Sequence, residues 1–234
     1  MVLLLAALLV LVDPGHDPAK PGATSARGVP EVQLNDELAA LVVARLRAIP
    51  GLTVARTRSD AELMSPRARG LLANRRHAAL LLSIHHDAPL DTDERAWTFD
   101  GRPEHYSEGI RGFSLHVRAD DPVAVRVARA IARELVASDF HPSGYHASEY
   151  DLVDAKLGIY DRRHLAMLNA AKVPAVLLEC GFITDKAEEL ELEKPEVRAK
   201  LAGAVARALG SWPTLLAPPP VVAHARAKTP PAGR

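Results

Sequence analysis

Leu8 to Asp17 reads LLVLVDPGHD, five apolar residues followed by Asp-Pro-Gly and a histidine. A run that is apolar at every position, rather than at alternate ones, has both faces covered, and a Pro-Gly pair ends the extended chain. The stretch is therefore expected as a buried strand whose C-terminal end delivers His16 to a sheet edge. The pattern recurs at Ala78 to Ile84, AALLLSI, which runs into His85-His86-Asp87. It recurs again at Pro174 to Glu179, PAVLLE, where the apolar run pushes a carboxylate to the strand end beside Cys180-Gly181-Phe182. An ionised carboxylate is costly away from water unless it is paired or adjacent to a metal, so Glu179 requires an explanation.

Helical patterns separate these strands. Leu34, Leu38, Leu41, Val42, Leu46 and Ile49 repeat at helical spacing from Glu31 and stop at Pro50-Gly51. Ser65-Pro66 and Asp121-Pro122 are cap and first-turn pairs opening further helices, and Pro195 to Leu209 is closed by Gly210. Leu52 to Arg56 and Phe113 to Val117 are shorter strand candidates. Strands alternating with helices in 234 residues, 48% of them hydrophobic, imply an α/β fold. We expect a single domain with a three-layer build: a mostly parallel central sheet with helices on both faces, and sites gathered at the C-terminal strand ends.

Two long segments break the alternation, Ala88 to Arg111 and Ser138 to about Tyr160. Both are expected as irregular loops, and loops of such length in compact domains tend to be functional. His141, His146 and His164 lack ligand spacing and read as surface or substrate-side residues. Lys+Arg and Asp+Glu both number 29, so nothing in the charge balance supports a nucleic-acid partner. One cysteine, Cys180, excludes an internal disulfide framework. Residues 1–7 read as an apolar extension or signal remnant too short for a stable membrane span. Residues 8–212 read as the folded domain, and the Pro/Ala-rich 213–234 as a disordered tail.

His16, His85 and Glu179 all fall at C-terminal strand ends. Two imidazoles and a carboxylate, with water in the fourth position, is a pattern for catalytic zinc, and a separate carboxylate can then act as general base. Side chains alternate across a strand, so His85 and His86 should face opposite sides, and at most one joins His16 directly. Glu31 lies in or just before a helical first turn, where an acidic residue ordinarily favours the helix dipole.

Taken jointly, four segments resemble the zinc-dependent N-acetylmuramoyl-L-alanine amidases of the Amidase_3 type, from about Leu8 to Gly210. They are Asp13-Pro14-Gly15-His16, Glu31 before Leu34-Asn35, Ser83-Ile84-His85, and Leu178-Glu179-Cys180-Gly181-Phe182. Arg56-Thr57-Arg58-Ser59-Asp60 and Ala73-Asn74 match further segments usual in that family. The resemblance implies His16, Glu31 and His85 as Zn²⁺ ligands and Glu179 as the catalytic base. It implies hydrolysis of the amide joining N-acetylmuramic acid to L-alanine, peptidoglycan as the partner, and action in the cell envelope, periplasmic or extracellular. A monomer is the default state. Other readings of the same residues are a zinc peptidase acting on stem peptides and a non-catalytic envelope-binding module, although a binding module would be expected to lose a ligand or the base.

Two positions depart from the family pattern: Asp17-Pro18 stands where Gly-Gly is usual, and His86 where alanine is usual. Neither removes a ligand. The Ala88 to Arg111 segment is not the apolar helix that plugs the site in regulated relatives. His86, Asp87, Trp97 and Tyr106 are candidate substrate-binding residues. With Phe99, Tyr145 and Tyr150, the rings of the two long segments are expected to wall an open groove, since aromatic faces suit the apolar faces of sugars.

Overall fold

The computed structural model describes residues 7–215; residues 1–6 of the apolar extension and 216–234 of the expected tail lie outside it. Seven strands form one sheet in the order β2-β1-β3-β9-β6-β8-β7. In chain order these are β1 (Leu8–Pro14), β2 (Leu52–Arg56), β3 (Leu80–Asp87), β6 (Ser114–Val117), β7 (Leu152–Asp154), β8 (Ile159–Asp161) and β9 (Ala175–Phe182), while β4 (Arg95–Phe99) and β5 (Arg102–Tyr106) form a separate hairpin. The pairs β2-β1, β1-β3, β3-β9 and β6-β8 are parallel; β9-β6 and β8-β7 are antiparallel. The sheet is thus mostly parallel, as the unbroken apolar runs require.

Alternation along the strands divides the core. Val10, Val12, Leu80, Leu82, Ile84, Val176 and Leu178 pack on one face against α1 (Glu31–Arg47), α3 (Pro122–Val136) and α6 (Pro195–Leu209). Leu11, Leu81, Ala175 and Leu177 pack on the other face against residues of α2 (Pro66–Arg75) and α4 (Ala166–Ala170). This is the expected three-layer α/β domain. The caps behave as the sequence suggests: Ser65 accepts from the Ala68 N–H at the start of α2, and Asp121 accepts from Val123 and Ala124 at the start of α3. Two short helices complete the chain, α5 (Lys186–Leu192) and α7 (Trp212–Leu215). In α7 the buried Trp212 donates to the Pro50 carbonyl at 3.1 Å and Leu215 packs on the core, so ordered structure runs beyond the boundary expected at residue 212.

The two long segments are more regular than expected. Ala88 to Arg111 contains the β4-β5 hairpin, in which Phe99 pairs with Arg102 across Asp100-Gly101, both at positive φ. Asp-Gly with two left-handed residues is the tight hairpin connection whose twist matches that of the strands. Ser138 to Tyr160 includes β7 and the start of β8, strands of three residues each.

Candidate metal and catalytic site

The sheet order places β1 and β9 on either side of β3, so three chain ends meet at one edge. His85 and Glu179 are register partners on the parallel β3 and β9, and Pro14, just before the His16 turn, pairs with Ile84. Odd-numbered residues of these strands face the α2 side, which puts Asp13, Ser83, His85 and Glu179 on one face of the sheet. His86 turns to the α1 side.

Glu31 opens α1 above this edge and is buried. Its carboxylate lies 3.0 Å from His16 Nε2 through one oxygen and 3.0 Å from His85 Nδ1 through the other. One donor atom from each of the three residues lies within 4.8 Å of the others. The two imidazoles, outweighing burial, hold the Glu31 carboxyl well below the usual carboxylate range. At His16 burial disfavours the charged ring, and the bonded Glu31 outweighs it and raises the pKa. His16 Nδ1 donates to the Lys20 carbonyl at 3.2 Å, which leaves Nε2 as the free ligand atom. Two imidazoles and a carboxylate opening onto a cavity form a donor set suited to catalytic zinc.

Two glycines make room for this arrangement. A Cβ on Gly15 would overlap the His85 ring, and one on Gly22, at φ +81°, would overlap Glu31 and crowd His16. His16 itself is left-handed at φ 62°, a region sparsely used by non-glycine residues. The turn is clamped from below. Arg58 donates to the His16 carbonyl at 2.8 Å and to the Gly15 carbonyl at 3.1 Å. Arg69, fully buried, donates to the carbonyls of Pro14 and His16 and, at 2.9 Å, to Asp13. Asp13 also accepts from Thr57 and, at 2.6 Å, from Ser83. Asn35, one turn along α1, donates to Glu31 at 2.9 Å. Sequence reasoning assigned no role to Arg58, Arg69 or Asn35; Arg58 and Asn35 had a signal in their place in the Thr-Arg and Leu-Asn segments, Arg69 had none, and contacts to backbone carbonyls are displayed by no pattern.

Asp17-Pro18 also finds its account here. Asp17 accepts from the N–H groups of Ala19 and Lys20 at 3.0 and 3.1 Å and from Met64 at 3.2 Å, so its side chain closes the turn.

Glu179 lines a cavity of about 470 Å³ together with His16, His85 and Asp87. Burial, with Asp87 and Glu31 negative nearby, pushes its carboxyl well above the usual range, and its Oε2 has no hydrogen-bond partner. An orphaned carboxylate oxygen buried in a cavity wall is a group awaiting a proton or a water.

The other candidates separate. Asp87 lines the cavity and accepts from His146 at 2.7 Å; His146, expected at the surface or the substrate side, is buried there, while His141 and His164 are exposed. Tyr145 and Tyr150 also line the cavity. His86 does not. It is buried against Asn35 at 2.8 Å, and desolvation lowers its pKa to about 4, so it is a neutral packing group beneath the site. Trp97 and Tyr106 do not reach the cavity either. Trp97 donates to the Ala26 carbonyl at 2.9 Å, and Lys186 sits over both rings at 3.9 and 3.3 Å, pinning the hairpin to α5. The hairpin rings face their anchor, and both long segments contribute to the cavity wall, the first through Ala88, Pro89 and Leu90 and the second through Tyr145, His146 and Tyr150.

Comparisons with known proteins show the family and the fold. The Amidase_3 family, described as N-acetylmuramoyl-L-alanine amidase, matches residues 10–211. The chain is 25% identical over 231 residues to N-acetylmuramoyl-L-alanine amidase Rv3717 of Mycobacterium tuberculosis, covering 89% of this chain and 87% of that protein. It is 26% identical over 219 residues to the probable amidase AmiB of Haemophilus influenzae, covering 84% of this chain and 50% of that protein. Among solved structures, the Clostridium difficile 630 amidase superimposes with a TM-score of 0.72 at 22% identity, over 89% of this chain and 97% of that one. Ami1 of Mycobacterium smegmatis does so with a TM-score of 0.70 at 25% identity, over 90% and 97%. With the family match spanning the sheet, the His16 turn, the start of α1 and the end of β9, the chain belongs to the Amidase_3 family of N-acetylmuramoyl-L-alanine amidases.

Proposed function

We propose that the protein hydrolyses the amide between N-acetylmuramic acid and L-alanine in peptidoglycan, with His16, Glu31 and His85 holding one zinc ion and Glu179 as general base. The observation that carries this reading is the meeting of three ligand atoms within 4.8 Å at the sheet edge where Glu179 is the register partner of His85. When bound, zinc supplies a Lewis acid that activates water and polarises a carbonyl. The chain's own residues do the rest. The Glu179 carboxylate takes the proton of the attacking water, and, because its surroundings favour the protonated form, it can return that proton to the leaving amine of L-alanine. Glu31, locked between two imidazoles and Asn35, stays ionised and keeps the two rings at fixed angles. Arg58 and Arg69 hold the His16 turn in place through its backbone carbonyls. Among the described residues no helix is long and apolar enough to cross a membrane, and we place the site of action in the cell envelope, where the substrate is.

Incubation of purified protein with peptidoglycan, followed by mass spectrometry of the products, tests the reading. The expected products are glycan strands with intact muramic acid and free peptides beginning with L-alanine. Cuts inside the stem peptide would replace the amidase reading by a peptidase, and unchanged peptidoglycan by a binding module.

A further inference from the structure

The cavity beside Glu179 continues past the reacting centre to an arginine for which the mechanism has no use. Arg162 follows β8 directly, and its N–H donates to the Val117 carbonyl at 2.8 Å, fixing its backbone to the sheet. Its guanidinium carbon lies 3.5 Å from the centroid of the Tyr150 ring, so the two planar groups are in stacking contact. Both residues line the cavity that holds His16, His85 and Glu179. Both also line an adjoining open cleft, together with Glu149, Asp151, Asp161 and Leu165.

The neighbouring arginines are satisfied. Arg118 pairs with Asp120, Arg129 with Asp154 and Arg163 with Asp161. Arg162 makes no ion pair among the described residues, and its contact with Tyr150 occupies the face of the guanidinium and not the N–H fork at its edge. A planar fork pre-oriented on an aromatic ring, half-buried and facing a cavity, is the geometry that receives a carboxylate through two parallel hydrogen bonds. Its charge also bears on Glu179, which places the two groups within electrostatic reach.

We propose that Arg162, held flat on Tyr150, is a specificity subsite for a free carboxylate of the stem peptide attached to the scissile amide. The proposal rests on the amidase reading of the site. It makes the enzyme selective among stem peptides by their carboxyl chemistry: an amidated carboxyl offers one neutral carbonyl acceptor beside an NH2 donor, so the charge is lost and only one of the two parallel hydrogen bonds can form.

The test compares two muramoyl-peptide substrates that differ only in whether the stem carboxylates are free or amidated. Wild-type protein is expected to favour the free acid by about 10- to 100-fold in kcat/KM, the range of a hydrogen-bonded charged contact. Arg162→Ala should lose that factor on the acid substrate, chiefly through KM, and leave the amidated substrate nearly unchanged. Arg162→Lys, keeping the charge but not the fork, should fall between them. Equal cleavage of both substrates by the wild type, or an equal loss on both in Arg162→Ala, would overturn the subsite. Calorimetric binding of the released peptide in acid and amide forms reads the same preference without turnover. If wild-type protein cuts neither substrate the amidase reading falls, and the binding preference still decides the role of Arg162.

Discussion

At the scale of single residues, the site is a set of polar groups whose partners are other polar groups of the same site. Glu179 departs from this with one buried oxygen lacking a hydrogen-bond partner, as do the Nδ1 atoms of His116 and His146 in the same cavity. Glu179→Gln is nearly isosteric but cannot accept a proton, so it should retain fold and zinc while kcat falls by roughly 10²- to 10⁴-fold. Activity within a few-fold of wild type would remove Glu179 as the base. Arg69 carries a different kind of weight. Replacing it with methionine leaves the buried Asp13 carboxylate without its cation, removes a donor from the Pro14 carbonyl and leaves the His16 carbonyl to Arg58 alone. Breaking a buried pair from one side costs roughly 3–5 kcal/mol. Chemical denaturation of Arg69→Met should show a loss of that order, and a loss below about 1 kcal/mol would mean that Thr57 and Ser83 satisfy Asp13 alone.

At the scale of elements, the β4-β5 hairpin is attached through its rings, so Trp97→Ala should lower stability by about 1–3 kcal/mol while KM for polymeric peptidoglycan stays near wild type. An unchanged melting temperature with a raised KM would restore Trp97 to the substrate. A second element contact titrates. Glu188 in α5 accepts from the Phe182 N–H at 2.8 Å and the Gly112 N–H at 2.9 Å, tying the end of β9 to the approach of β6. Burial, outweighing those donors, pushes its carboxyl from 4.5 to about 7. Between those values the folded state holds a proton that the unfolded state has released. Its contribution is therefore full below pH 4.5 and is lost as pH rises through 7, by roughly 3 kcal/mol at most. Stability of Glu188→Gln should lack this decline; parallel pH profiles would show Glu188 ionised throughout. The sequence displayed β1, β3 and β9 because a strand covered on both faces must be apolar throughout, and the residue that ends such a run stands out. It displayed the α1 and α3 helices for the same reason of periodicity. The hairpin was hidden because Arg95 to Tyr106 is largely polar and packs through stacked rings, although Asp100-Gly101 was its signal. The convergence of Glu31 with the two histidines was also hidden, since a glutamate in a first helical turn looks the same whether it faces solvent or a neighbouring strand end. Only the family resemblance singled it out.

At the scale of the whole molecule, a zinc ion on His16, Glu31 and His85 would join the turn after β1, the start of α1 and the end of β3. A ligand that binds only the folded state at 100 times its Kd adds about 2.7 kcal/mol, or roughly 5–10 °C in melting temperature for a domain of this size. Chelator treatment should lower the melting temperature by that amount, zinc should restore it, and His16→Ala should show neither response; a chelator-insensitive wild type would argue against the metal. The sheet order has a further consequence for how the protein comes into being. β9 is the last strand among the described residues yet lies between β3 and β6, near the middle of the sheet. Until residues 175–182 emerge, β3 and β6 have no shared partner, and the half carrying the metal ligands is not joined to the half carrying the cavity wall. Non-local pairings of this kind form late. A nascent or truncated chain ending before Ala175 therefore contains every proposed metal ligand but neither Glu179 nor a closed sheet. With Glu179 as the proposed base, hydrolytic competence would arrive in one step, with the strand that completes the fold.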